Sequence, residues 1–167
     1  MAPRPFPRRH YRNPFTPVAD VLWIVGRASR AIGVVRGQRV SADQRERLML
    51  AVTEVNGCRY CSWAHTRAAL AAGVSEEEVQ QLVGGEIGAA PEAERPALIY
   101  AQHWASTDAR PEPETRARAV EIYGEERVQD FEMAMRLIRV GNLWGNTLDF
   151  FLYWLSWGRL GAAGVSS

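Results

Sequence analysis

The chain has 167 residues and a formal net charge of +1, long enough for one domain with its own core and too short for two. That balance supplies no global field to draw nucleic acid or a membrane surface, and every basic side chain is Arg, so no lysine amine is available for Schiff-base chemistry. The two cysteines stand three apart, which excludes the disulfide framework of a small secreted fold and points to redox or metal chemistry in a reducing compartment.

Arg8 and Arg9 are followed by no clean apolar leader, and Arg27 and Arg30 interrupt the stretch VLWIVGRASRAIGVV. The later run TLDFFLYWLSWG is short and contains Asp149. Neither a signal peptide nor a spanning helix is expected, and the expected location is the cytoplasm.

In chain order, residues 1–17 are rich in Pro and Arg. Pro density excludes a regular helix there, leaving an N-terminal arm that is poorly ordered or laid on a neighbouring subunit. From Val18 to Val35 the apolar residues recur at helical spacing, and Gly33 and Gly37 mark the end of that helix. Ser41 with Gln44 resembles a capping box that opens a helix from about Ala42 to Val55, closed by Asn56-Gly57. A second helix runs from about Cys58 to Ala72, with Gly73 as its stop. Ser75 with Glu78 opens SEEEVQQLVGG, whose three glutamates suit the positive end of a helix dipole.

Pro91 opens a helix to about Ser106, although Pro96 makes a later start more natural. Pro113 introduces another that ends at Gly124, and a long apolar segment runs from Val128 to Trp157, divided or kinked at Gly141 and Gly145. No stretch alternates with period two for long enough to predict a strand. The expected architecture is all-α, one domain of about six to eight helices over 18–160, with an arm at 1–17 and a tail at 161–167.

The chemistry concentrates in EVNGCRYCSWAH, residues 54–65. If a helix starts near Cys58, then Cys58, Cys61 and His65 share one face. Zinc is a weak reading, because this pattern supplies three ligands where a structural site takes four. A thioredoxin-like fold needs βαβ connectivity that is not present. Thiol redox chemistry on a helical scaffold remains: Cys58 sits where free backbone N–H groups and the dipole favour a thiolate, with Arg59 beside it. His65, one turn beyond Cys61, acts on Cys61 more directly than on Cys58.

A histidine base needs a carboxylate to orient it, and Glu46 and Glu54 are the upstream candidates. If Asn56-Gly57 folds the two helices back on each other, Glu46 lies eleven residues before Gly57 and His65 eight after it. At roughly 1.5 Å per residue their depths differ by about 5 Å. Glu46 falls between Met49 and Leu50 on the wheel, an apolar setting, whereas Glu54 falls near Arg47 on a solvated edge. Glu46 is the preferred partner.

Glu46, eleven residues, Cys58-x-x-Cys61, three residues and His65 together resemble the E-x11-C-x-x-C-x-x-x-H pattern of the alkylhydroperoxidase AhpD family, within the carboxymuconolactone decarboxylase superfamily. The strong similarity covers about Glu46 to Val83. The resemblance implies an AhpD-like all-α fold assembled as a homo-oligomer of two or three like subunits. It also implies a thiol-dependent hydroperoxide reductase or disulfide oxidoreductase that uses no haem, flavin or other cofactor. Its partners would be a hydroperoxide or disulfide substrate and a dithiol reductant, such as a lipoyl group or a thioredoxin-like protein.

By that analogy Cys61 is the thiol activated through His65 and Glu46, and Cys58 resolves its sulfenic acid as the Cys58–Cys61 disulfide. The helix-dipole reading instead makes Cys58 the more acidic and exposed thiol, the one a reductant meets. Some family members carry His immediately before the second cysteine. Tyr60 stands there in this chain, a hydrogen-bonding support but a poor base near neutral pH. The alternative function is a non-catalytic or redox-sensing helical oligomer. Elsewhere, His103 reads as a core or interface residue, and Trp144, Phe150, Phe151, Trp154 and Trp157 as core or subunit interface.

Overall fold

A computed structural model of the chain describes residues 6–161. Among the described residues it is all-helical, with eight helices and no strand: α1 (Phe15–Val25), α2 (Ala28–Val35), α3 (Ala42–Asn56), α4 (Arg59–Ala71), α5 (Glu76–Val83), α6 (Arg95–Ser106), α7 (Pro113–Tyr123) and α8 (Glu125–Leu155). The first five residues of the expected arm, and the expected tail beyond Gly161, lie outside the described residues.

Helix α3 is the axis of the fold. Leu48, Met49, Leu50, Ala51 and Val52 are consecutive and all buried, which a helix permits only when it is surrounded on every side. It packs against α8, α6, α4 and α5. Such a helix must also satisfy its polar side chains internally. Arg47 lies buried, with its guanidinium donating to Glu78 at 2.6 Å, to Asp43 at 2.5 Å and to Glu94 at 3.4 Å. The expected solvated edge of Arg47 and Glu54 is therefore not present: Arg47 belongs to a buried ion cluster. Glu54 is half-buried, and burial pushes its carboxyl above the ordinary range.

Several element boundaries differ from expectation. The helix expected over Val18–Val35 is two helices, because Arg27 leaves the helical region (φ −128°, ψ 32°) after Gly26 and stacks its guanidinium on Trp23 at 4.2 Å. Helix α6 begins at Arg95 with Pro96 in its first turn, where a missing N–H costs nothing. Pro91 instead belongs to the preceding turn.

Helix α8 runs unbroken for 31 residues through Gly141 and Gly145. Those glycines do not divide it; they lie where it meets the start of α4. A Cβ at Gly145 would stand 3.0 Å from the Cys58 sulfur, and one at Gly141 3.9 Å from that of Cys61. The lack of a side chain lets α8 approach the dithiol.

The Pro-rich N-terminal stretch packs on its own chain. Phe6 contacts Phe150 and Tyr153 edge-on, His10 stacks on Phe150 at 4.3 Å, and Arg8 is buried against α8. Helix α1 also starts at Phe15, three residues inside the expected arm. His103 is not a core residue: it lies at the surface, hydrogen-bonded to Glu112. Trp144, Phe151, Trp154 and Trp157 stand exposed on the single chain, Trp157 at 83%. No helix among the described residues is long and apolar enough to cross a membrane.

Candidate active site

The site is made at the corner between α3 and α4. Gly57 closes α3 in the left-handed region (φ 71°), and its N–H bonds to the Thr53 carbonyl at 2.8 Å, a helix stop that glycine adopts without strain. Cys58 follows in extended conformation and caps α4, its sulfur accepting the Cys61 N–H at 3.4 Å. A thiol thus fills the place usually held by Ser, Thr, Asp or Asn. The corner is tied to α8 by Asn146, which donates to the Asn56 carbonyl at 2.7 Å, and by the buried pair Thr53–Asn142 at 3.2 Å.

All four residues expected to form the site converge, with Tyr60 beside them. The two sulfurs are free thiols 2.8 Å apart. His65 and Glu46 meet across the α3–α4 corner, Nδ1 to Oε2 at 2.6 Å. Glu46 is buried, and its other oxygen accepts from the Arg45 guanidinium at 3.0 Å. Burial pushes the Glu46 carboxyl up, but the bonds from His65 and then Arg45 outweigh it and hold the group below its ordinary value. An ionised Glu46 accepts only, so in the neutral imidazole Nδ1 carries the proton and Nε2 is left as a free acceptor.

The two thiols differ sharply in setting. Cys58 has 0% exposure. Once ionised, the Cys58 sulfur can only accept, and the Cys61 S–H 2.8 Å away then donates to it; backbone N–H groups of Cys61 and Tyr60 and the charge of Arg8 add to that. Against the opposing effect of burial, its pKa falls from 9.0 to about 7. Cys61 moves the other way: donating its proton to Cys58, together with burial, pushes it up. Of the two, Cys58 is the thiol that ionises more readily. Being fully covered, however, Cys58 is not the exposed thiol expected from its helix-terminal position. The sulfur an incoming molecule can reach is Cys61.

Cys61 and His65 open onto a pocket of about 350 Å³ whose other walls are Val35, Met49, Tyr60, Ala64, Leu137, Ile138 and Gly141. The lining is almost wholly apolar apart from the thiol and the imidazole. The Tyr60 hydroxyl is turned away to Asp149, to which it donates at 2.8 Å. Among the described residues no group of three or more His, Cys, Asp or Glu is placed to hold a metal ion.

Sequence reasoning missed three contributors. Asp149 has no exposure and accepts from Arg8 (2.8 Å), Arg59 (2.9 Å) and Tyr60. The signal for burial was there: a lone acid inside an apolar run. Arg8 had no such signal, since nothing in the sequence sets it apart from Arg9 or Arg12. Gly145 read as a breaker, and only the three-dimensional neighbour, Cys58, explains it.

The model of the carboxymuconolactone decarboxylase family matches residues 26–105, a stretch that contains Glu46, both cysteines and His65. No curated protein and no solved structure matches the chain.

Proposed function

Residues 26–105 match the carboxymuconolactone decarboxylase family, and from that premise we propose that the chain is a thiol-dependent hydroperoxide reductase or disulfide oxidoreductase. The observation that carries the reading is the junction of a 2.8 Å dithiol with a Glu46-oriented His65 at an apolar pocket.

A hydroperoxide enters with its alkyl chain against Val35, Met49 and Ile138. His65 Nε2 takes the Cys61 thiol proton as the sulfur attacks the terminal peroxide oxygen. The O–O bond breaks, the alkoxide takes that proton and leaves as alcohol, and Cys61 becomes a sulfenic acid. The Cys58 thiolate, already in contact, attacks the Cys61 sulfur. Hydroxide leaves and is protonated to water, and the disulfide forms. Two thiols have given two electrons to the peroxide. A dithiol reductant then attacks the accessible Cys61 sulfur and expels Cys58, whose low pKa makes it the better leaving group. Its second thiol closes its own disulfide and returns Cys61 as a thiol. The reductant meets Cys61, not Cys58, because Cys58 is covered.

The exposed ridge of Trp144, Phe151, Trp154 and Trp157 supports self-association as the working state, since an apolar surface of that kind is seldom left to water. The test is consumption of an alkyl hydroperoxide driven by dihydrolipoamide. Turnover in the wild type that disappears in Cys61→Ser supports the proposal. Absence of dithiol-dependent turnover across alkyl hydroperoxides, hydrogen peroxide and small disulfides overturns it, leaving a redox-sensing oligomer.

A further inference from the structure

We propose that Arg8 and Asp149 are positioning residues for the Cys58–Cys61 pair, so that the N-terminal segment is a working part of the site; this rests on the thiol reading above. The Arg8 side chain lies along the corner that precedes Cys58. A Cβ at Gly57 would meet its Cγ at 3.1 Å and its Cδ at 3.3 Å. Its guanidinium is buried and donates to Asp149 at 2.8 Å, to Asn146 at 3.2 Å and to the Gly161 carbonyl. The other oxygen of Asp149 takes Arg59 at 2.9 Å and the Tyr60 hydroxyl at 2.8 Å. Arg59 and Tyr60 are the two residues between the cysteines. Asp149 therefore pins the linker of the dithiol, and Arg8 pins Asp149.

Charge counting gives this network its consequence. Two guanidiniums face one carboxylate, an excess of one positive charge beside a sulfur with no exposure. Of the nearby acids, Glu46 is committed to His65 and Arg45, and Glu54 lies against Gly85. The ionised Cys58 sulfur supplies the missing negative charge, and Arg8 contributes to the depression of its pKa. In the reduced protein with Cys58 ionised the four groups are neutral together. When the disulfide forms, the thiolate disappears and the buried Arg8 is left sharing one carboxylate with the partly exposed Arg59, so its charge is less fully compensated, which is costly. The network thus favours the reduced pair with Cys58 ionised and makes the disulfide easier to reduce.

The experiment uses the full chain as Arg8→Gln, Asp149→Asn and Arg9→Gln. Arg9 lies on the same segment but donates to the Ala105 and Ser106 carbonyls, so its variant controls for loosening of the segment. Two quantities are read: thiolate ultraviolet absorbance against pH, and the dithiol–disulfide equilibrium in a glutathione redox buffer. Arg8→Gln is expected to lower the acid constant of Cys58 by about tenfold, the lower end of the range for one nearby opposite charge. In a buffer well above the wild-type midpoint, where Cys58 is ionised, it should shift the equilibrium toward disulfide by up to the same factor, at most about 30 mV. Asp149→Asn leaves two guanidiniums unopposed and should move the Cys58 midpoint the opposite way, below about 7. Arg9→Gln should match the wild type.

A wild-type titration in Arg8→Gln, an Arg9→Gln shift as large as that of Arg8→Gln, or a midpoint in Asp149→Asn at or above the wild-type value each overturns the proposal. The last decides it alone if Arg8→Gln does not fold. Neither readout requires peroxide turnover, so a shifted midpoint in an enzyme without peroxidase activity would sink the function and keep the positioning role.

Discussion

Replacing Cys61 by Ala removes the S–H available to an ionised Cys58, the largest of the influences lowering the Cys58 pKa from 9.0 to about 7. A lowering of that size corresponds to roughly 3 kcal/mol of preference for the thiolate. At pH 7 that preference keeps Cys58 about half ionised, where an unassisted thiol would be about 1% ionised. In Cys61→Ala only the backbone N–H groups and Arg8 remain to favour the charge, and burial opposes them. The midpoint should climb most of the way to 9.0 or beyond. Cys61→Ser keeps an O–H donor at the same place and should stay close to the wild type. The assay is thiolate ultraviolet absorbance across a pH series, with each variant carrying a single thiol so that one transition is read. If Cys61→Ala still titrates near 7, the Cys61 thiol is not what ionises Cys58, and the pairing of the two sulfurs loses its functional meaning.

Glu46→Gln should lower kcat/KM for peroxide by about 100-fold or more, because an amide can donate to Nδ1 and leave the Nε2 of His65 protonated, unable to act as base; the dithiol-coupled peroxide assay reads it. Gly145→Ala places a methyl group 3.0 Å from the Cys58 sulfur, so a loss of about 1–3 kcal/mol in urea denaturation is expected, together with a displaced Cys58 titration. Asp149→Ala should cost about 3–5 kcal/mol by leaving the buried Arg8 charge without its partner. Burial pushes the Asp149 carboxyl up, but Tyr60, Arg8 and Arg59 outweigh it and hold it below the ordinary value. Its stabilisation is therefore full above the unfolded carboxylate range and lost as the pH falls through the lowered value. The variant should be correspondingly less sensitive to acid than the wild type in denaturation curves over that window.

The Glu46–His65 contact was legible because it depends on two features a sequence displays directly: a turn at Asn56-Gly57 and equal depth from that turn along two helices of known rise. Cys58 at a helix start was legible for the same reason, since local spacing sets caps. Exposure was not. The helix-terminal position of Cys58 implies an open sulfur, but α8 covers it, and that cover comes from Gly145, far along the chain. The two glycines of α8 illustrate the general limit. Read locally they weaken a helix; read in the fold they are what lets the helix reach the dithiol. Arg8 lies beyond local reading altogether, because its role is fixed by a carboxylate 141 positions away.

The division between the sulfurs resolves the conflict between dipole and analogy. The Cys61 thiol and then the helix start make Cys58 acidic, and the packing of α8 makes it inaccessible; Cys61 is reachable and, in the proposed cycle, holds its proton until His65 takes it. In a two-step exchange these are complementary needs. The sulfur that attacks first must meet the substrate, and the sulfur expelled on reduction must carry charge well. A low pKa on the covered sulfur therefore serves the second half of the cycle. It follows that weakening Cys58 as a leaving group, as Arg8→Gln should do, slows re-reduction by a dithiol while sparing the first attack on peroxide. Single-turnover measurements of the two half-reactions separate these steps. An equal slowing of both would mean that Arg8 supports the fold of the corner rather than the charge on its sulfur.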